Sequence, residues 1–210
     1  MKTTVKVTRT TTESEMRVLC DFSGLASDYR AKINTPYPFL NHMLEHIAYR
    51  GGFTIETDVK LNTFVLSHVI FEDLGIAFGK ALKSYVAANC GDGVVGFGNG
   101  VGIIDEAYAE AAISFEDRAY FDFENLSGNI PEMTEGVPTE DLLVFLEGVA
   151  QGAQATLHVN LKKGTNAHHI FEAIYRALGI CLKNALACDS SRVGLTSGVA
   201  GKIDFNVEVL

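Results

Sequence analysis

Apolar and polar positions alternate from Thr3 to Phe22, ending in Met16-Arg-Val-Leu-Cys-Asp-Phe22, the pattern of two hairpin strands. Tyr37-Pro38 then opens a helix predicted over 39–49. Phe39, Leu40, Met43, Leu44 and Ile47 fall at helical spacing, and Gly51-Gly52 ends it. Residues 53–60 and 64–68 alternate as strands, and a long apolar helix is predicted over 70–88. The second half repeats this order. Strands are predicted near 102–115 and 119–123, then a Gly/Pro/Glu-rich loop at 127–138, a helix over 140–154 and a strand over 155–161. A last helix reaches about residue 187, and a strand-like tail covers 203–210. The glycine-rich stretch 91–102 matches neither a dinucleotide nor a P-loop pattern, so it is read as a flexible connection between halves.

The repetition is sharpest in two words. His68-Val-Ile-Phe-Glu72 recurs one hundred positions on as His168-His-Ile-Phe-Glu172, each followed by the same helical apolar spacing. A histidine and a glutamate four apart share one helix face, so each word offers an imidazole nitrogen and a carboxylate oxygen together, half of a borderline metal site. The chain therefore reads as an internally duplicated α+β unit. Its first repeat half covers residues 1–95 and its second 96–210, intimately packed, each half antiparallel sheet covered by helices.

Seventeen Lys and Arg against 26 Asp and Glu give a net charge of −9. This argues against nucleic acid or an anionic membrane as partner, since either requires a basic footprint. The four cysteines, Cys20, Cys90, Cys181 and Cys188, are widely spaced without a CxxC, as expected of reduced thiols. No apolar run approaches membrane-spanning length and the N-terminus alternates like a strand, so a cytoplasmic location is expected.

Several stretches, in order, resemble the imidazoleglycerol-phosphate dehydratase family. They are Phe39-Leu-Asn-His-Met-Leu-Glu-His-Ile-Ala48, Arg50-Gly-Gly-Phe53, Glu72-Asp73, Ile104-Asp-Glu-Ala107, Asp117-Arg-Ala-Tyr120, Thr156-Leu-His-Val159, Asn166-Ala-His-His-Ile-Phe-Glu-Ala173 and Arg9-Thr-Thr-Thr-Glu13. The resemblance covers about residues 5–200. It implies halves of four strands backed by two helices, a shell of 24 subunits with active sites between them, and two manganese ions per site. The implied reaction, a carbon–oxygen lysis in histidine biosynthesis, removes water from imidazole glycerol phosphate. The hydrogen removed is a very weak acid, so the substrate imidazole must be held as an anion by metal while a carboxylate takes the proton.

Carried over by this resemblance, the metal ligands are His42, His68, position 69, Glu72, position 144, His168, His169 and Glu172. Six are kept, while Val69 and Val144 replace histidines. The catalytic carboxylates are Glu172 and Glu13. Substrate contacts fall on Glu13, His46, Arg50, Arg118, Arg176 and Ser197, with His46 standing where the family has a glutamine and Arg50 where it has a histidine. Gly96 replaces a phosphate-binding arginine and Val199 a lysine, with Lys202 or Arg192 as substitutes; Leu66 replaces an aspartate. His158, on a strand, is read as structural.

Two readings follow. The first is a dehydratase acting on a small phosphorylated imidazole-like substrate. The alternative is a diverged paralogue with altered substrate or little activity that keeps the fold and one metal site. If each ion takes an upstream histidine and the second histidine of the other half, both losses fall on one site and the other keeps His42 with His169. One divalent ion per subunit is then expected, manganese first and zinc second. Because each helix start supplies only part of a ligand set, a homo-oligomer is expected, of up to 24 subunits.

Overall fold

The computed structural model describes residues 1–210 except Thr63, Asn129, Lys202, Phe205 and Leu210. Strands β1 (Thr4–Thr10) and β2 (Ser14–Asp21) form the expected hairpin, with Val7 opposite Val18. A short helix α1 (Tyr29–Lys32) and helix α2 (Pro38–Gly51) follow, then β3 (Thr54–Leu61) and the long helix α3 (Ser67–Asn89). The second half runs β4 (Phe97–Ile104), β5 (Ala107–Ser114), β6 (Tyr120–Asn125), a two-residue-strand hairpin β7 (Met133–Thr134) and β8 (Val137–Pro138), α4 (Thr139–Ala153), β9 (Thr156–Lys163) and α5 (Ala167–Ala185). The order β-hairpin, helix, strand, long helix thus occurs twice, the α+β duplication read from the repeated words.

The two sheets differ in one strand. The second is ordered β4-β5-β9-β6, with β6 parallel to β9 and the rest antiparallel. The first, ordered β1-β2-β3, has three strands among the described residues, not the four expected. In place of a counterpart to β6, the chain beside β3 forms α1. It is tied to the strand by side chains, not a backbone ladder. Thr54 Oγ1 accepts from the Ala26 N–H at 2.8 Å, and Thr57 Oγ1 accepts from the Asn34 N–H at 2.8 Å. The local sequence Asp28-Tyr-Arg-Ala-Lys32 has no apolar/polar alternation to offer a sheet, which is why it turns helical.

Three further expectations are corrected. Residues 64–66 are exposed and outside any strand, and α3 starts at Ser67. The glycine-rich stretch is largely strand: β4 alternates buried Gly98, Gly100 and Gly102 with outward Phe97, Asn99, Val101 and Ile103. A Cβ on those glycines would lie 2.4 Å from the carbonyl oxygen of Cys181, 2.4 Å from that of Ala177 and 1.9 Å from that of Ala173. The glycines are thus what lets α5 lie directly on the strand. Beyond residue 200 no strand is formed among the described residues of the tail; Phe205 and Leu210 lie outside them.

The core lies between sheets and helices. Alternate residues of β2 (Met16, Val18, Cys20), β5 (Ala109, Ala111, Ile113) and β9 (Leu157, Val159, Leu161) point inward. Against them lie Phe71, Leu74 and Phe78 of α3 and Phe171, Ile174 and Leu178 of α5. Each long helix covers its own half's sheet and is crossed by the shorter helix of the other half, α3 by α4 and α5 by α2. The crossings correspond: a Cβ on Gly79 would meet the Val149 carbonyl oxygen at 2.2 Å, and one on Gly179 the Ile47 carbonyl oxygen at 2.9 Å. No helix is long and apolar enough to cross a membrane among the described residues.

Candidate metal centre

Helix α5 begins at a firm cap. The Asn166 side chain accepts from the backbone N–H of His168 at 2.9 Å and of His169 at 3.5 Å, so the helix opens with both imidazoles in its first turn. One turn on, Glu172 lies under His168, 5% exposed. The crossing helix α2 brings His42 and His46, one turn apart on one face, to the same spot. His42, His168 and Glu172 each present a ligand atom within 4.8 Å of the other two. His42 Nε2 is 3.8 Å and His168 Nε2 3.4 Å from Glu172 Oε2, while His46 Nε2 is 3.2 Å from Oε1. The Arg176 guanidinium, one turn further along α5, pairs with Oε1 and also donates to the Ile103 carbonyl oxygen at 2.8 Å. This fixes the buried carboxylate with one oxygen turned to the histidines.

The rings are aimed by carboxylates on their far nitrogens. His168 Nδ1 is 3.1 Å from Glu135 Oε1, and His42 Nδ1 3.6 Å from Glu45 Oε2. Glu135 is delivered by the β7–β8 turn, where Glu135 and Gly136 both take positive φ (50° and 78°), as a tight two-residue hairpin turn requires. A carboxylate behind an imidazole orients the ring and makes its free nitrogen a better donor, the usual support of a metal-bound histidine. Two imidazoles and a carboxylate converging with Nε2 inward therefore fit a divalent ion of borderline softness. Burial lowers the His46 pKa to about 4, helped by His42, Arg176 and Arg50 and opposed by Glu172, so this ring is neutral near pH 7 with a lone pair to give. A cavity of about 240 Å³ opens beside the cluster, lined by His42, His46, Glu45, Arg50, Arg176, Tyr29, Arg30 and Tyr49.

The other candidates from the sequence lie elsewhere. His169 is held at 2.9 Å from Glu106 Oε2, with Asp105 at 3.8 Å, so within one chain His42 meets His168 instead of His169. This pair raises the His169 pKa and, together with the Asn166 N–H, lowers that of Glu106 to about 2. His68 and Glu72 line a small cavity at the other crossing, with Val144 and Glu147. There His68 Nδ1 is 3.4 Å from Asp141, a buried carboxylate whose Oδ2 has no hydrogen-bond partner among the described residues. Glu13 sits exposed in the β1–β2 turn, its N–H on Thr11 Oγ1 and its carbonyl oxygen accepting from the Asn62 N–H. Arg118 lines a separate cavity with Ser114 and Glu116. The Ser197 hydroxyl donates to the Phe115 carbonyl oxygen, and Arg192 donates to the Thr196 carbonyl oxygen at 3.1 Å. Lys202 lies outside the described residues. His158 pairs with Asp122 at 3.4 Å on the outer sheet face, away from the cluster.

Sequence reasoning missed Glu45, Glu135 and Glu106. Glu45 was findable at three residues from His42, on the same helix face. Glu106 lies in the family-like stretch Ile104-Asp-Glu-Ala107, which gave it no role, and Glu135 reaches its histidine from a turn remote in sequence that nothing local marks.

Residues 35–182 match the family model IGPD, imidazoleglycerol-phosphate dehydratase. The chain is 32% identical over 192 residues to an imidazoleglycerol-phosphate dehydratase of Geobacillus thermodenitrificans, covering 91% of this chain and 94% of that one. It is 31% identical over 208 residues to that of Ralstonia pickettii, covering 97% and 100%. Among solved structures it is similar to the dehydratase of Staphylococcus aureus, with a TM-score of 0.75 at 26% identity over 89% of this chain and 99% of that one. It is also similar to the IGPD of Pyrococcus furiosus, with a TM-score of 0.76 at 28% identity over 93% and 99%.

Proposed function

Because the chain belongs to the imidazoleglycerol-phosphate dehydratase family, we propose that it eliminates water from imidazole glycerol phosphate or a closely similar phosphorylated imidazole, using one divalent ion per chain. The observation that carries this reading is the convergence of His42, His168 and Glu172 within 4.8 Å, each imidazole backed by a carboxylate. These three residues hold the ion, manganese first and zinc second. A bound ion would draw charge from the substrate imidazole while a carboxylate takes the carbon-bound proton and a proton donor releases the hydroxyl as water.

The chain's own residues do the rest. Arg50 and Arg176 border the cavity and supply cations for a phosphorylated substrate. Arg176 also keeps Glu172 turned toward the histidines. His46, neutral by burial, offers a lone pair instead of a charge to whatever enters. Glu13, Arg118 and Ser197 lie away from this cavity in one chain, so their roles require a site completed by a neighbouring copy. Exposed Phe64, Val65, Leu66, Phe97, Val101 and Ile103 supply apolar surface for such assembly.

A second reading, a diverged paralogue with one metal site and altered substrate or little turnover, is favoured by one observation. At the other crossing Val144 faces His68 and Glu72, and valine has no lone pair to give. The deciding experiment is complementation of a histidine auxotroph lacking the dehydratase, with elemental analysis of the purified protein. Growth with one ion per chain supports the first reading. One ion without growth supports the second, and two ions per chain would overturn the single-site assignment in both.

A further inference from the structure

We infer that His46 is a metal ligand, completing a set of three imidazoles and one carboxylate contributed by a single chain. The inference rests on the metal site of the proposed dehydratase and goes beyond it, since the resemblance places a substrate-contacting glutamine at this position. His46 stands against the cluster of His42, His168 and Glu172, its ring nitrogen within reach of two of the three. His46 Nε2 lies 3.3 Å from His42 Nε2 and 3.2 Å from Glu172 Oε1, and His168 Nε2 lies 3.4 Å from Glu172 Oε2. Bonds of about 2.0–2.1 Å at tetrahedral angles put ligand atoms about 3.3–3.4 Å apart, which the His42–His46 spacing matches. Glu172 meets His46 through Oε1 and the other two imidazoles through Oε2, and would turn to offer one oxygen to all three. Both imidazoles come from one face of α2, one turn apart, with rings at 69° and centroids 4.5 Å apart. Such an edge-on arrangement turns two nitrogens toward one point instead of stacking the rings. Without an ion the two nitrogens share a proton. With one, both lone pairs converge on it.

The duplication supplies a control. Counting back from the helix ends, His42 corresponds to Val144 and His46 to Gly148, so the crossing that lost the upstream histidine has no imidazole at the second place either. A third nitrogen also alters metal choice. Three imidazoles with one carboxylate in four-coordinate geometry suit zinc or cobalt, whereas manganese prefers oxygen-rich octahedral sites.

The test is titration of the metal-free, fully assembled protein with cobalt(II), read by visible absorption. The unaltered protein is expected to give the intense bands of four-coordinate cobalt. His46→Gln should weaken affinity about 10–100-fold or more and leave only the weak bands of higher coordination. His46→Cys, which offers a thiolate instead, should keep four-coordination and add a sulfur-to-cobalt charge-transfer band. Both variants are checked for unchanged assembly by light scattering. If His46→Gln binds cobalt with the same affinity and spectrum while His42→Ala does not bind, the metal site stands and His46 is no ligand. If the unaltered protein binds no cobalt, the metal site fails, and this inference with it.

Discussion

At the α2–α5 crossing stand His42, His46 and Arg50 against His168, Glu172 and Arg176; at the α3–α4 crossing the corresponding positions are Val144, Gly148 and Gly152 against His68, Glu72 and Ile76. The loss of ligands and the loss of bulk coincide. Where side chains meet around a cavity in the first crossing, backbones meet in the second. A Cβ on Gly75 would sit 2.4 Å from the Phe145 carbonyl oxygen, and one on Gly152 2.0 Å from that of Ile76. Helices approaching this closely gain dispersion contacts along their length, and the small cavity left between them is faced by Val144 in place of a histidine. Under the proposed function, one copy of the duplicated crossing is structural and the other carries the chemistry. The same division shows at the helix starts. Asn166 caps α5, whereas Leu66 precedes α3 with no side-chain cap.

The largest expected effect separates the crossings by metal. Glu172→Gln should reduce divalent-ion affinity by on the order of 100-fold or more, because the amide is a poorer ligand and its carboxylate is shared by His42 and His168. Glu72→Gln should leave affinity within about threefold, the scatter expected of a residue outside the site. Calorimetric titration of both variants checks this, and equal losses would remove the asymmetry.

The next effect is on stability. Gly152→Ala places a methyl group 2.0 Å from the Ile76 carbonyl oxygen and within 2.9 Å of the Ile76 Cα, both backbone atoms that cannot swing aside. Overpacking of this kind typically costs about 1–3 kcal/mol, and here, toward the upper end, it should exceed the gain of about 1 kcal/mol in helix propensity for a net loss of about 1–2 kcal/mol. Gly179→Ala at the other crossing meets the Arg50 Cβ and Ile47 oxygen at 2.9 Å. There strain and propensity should nearly cancel. Urea unfolding midpoints decide whether the glycine crossing is the tighter.

How far the sequence revealed this can be traced residue by residue. The words at His68 and His168 disclosed the duplication and the face shared by each histidine and glutamate, because a repeat of four on a helix is fixed by local geometry. The β4 strand was hidden because its inward positions are glycines. A pattern reader sees no apolar alternation where the packing partner is the α5 backbone itself. The missing fourth strand of the first sheet was equally hidden: the tie from Asn34 to Thr57 is made through a threonine hydroxyl, not a ladder. At the site, the choice between His168 and His169 as the partner of His42 depends on how α5 is rotated by its cap and on Glu106 holding His169 aside. Neither is a property of spacing.

A smaller effect tests the helix starts. Asn166→Ala should cost about 1 kcal/mol by freeing two backbone N–H groups, while Leu66→Ala, with no capping bond to lose, should change stability by only a few tenths. Thermal melts of the two variants give the comparison. Equal losses would mean that the cap does not distinguish the halves.

The smallest effect concerns pH, at the same corner. Glu106 accepts from the backbone N–H of Asn166 at 2.8 Å and of Thr165 at 3.2 Å, and pairs with His169. Its pKa is depressed to about 2, chiefly by the Asn166 N–H. A depressed carboxylate stabilises the fold above its unfolded pKa of 4.5, and that contribution is lost as pH falls from there through about 2. The His169 pKa is raised by its hydrogen bond to Glu106, so its contribution is complete below its ordinary 6.5 and fades as pH rises through the raised value. Together the two confine the pair's contribution to a plateau between about pH 4.5 and 6.5. Glu106→Gln should therefore flatten the stability profile on both flanks of that plateau. Because Glu106 is exposed, salt should shrink the effect. Stability measured across pH at low and high salt tests both points, and a Glu106→Gln profile parallel to the unaltered one would leave the corner with no electrostatic role.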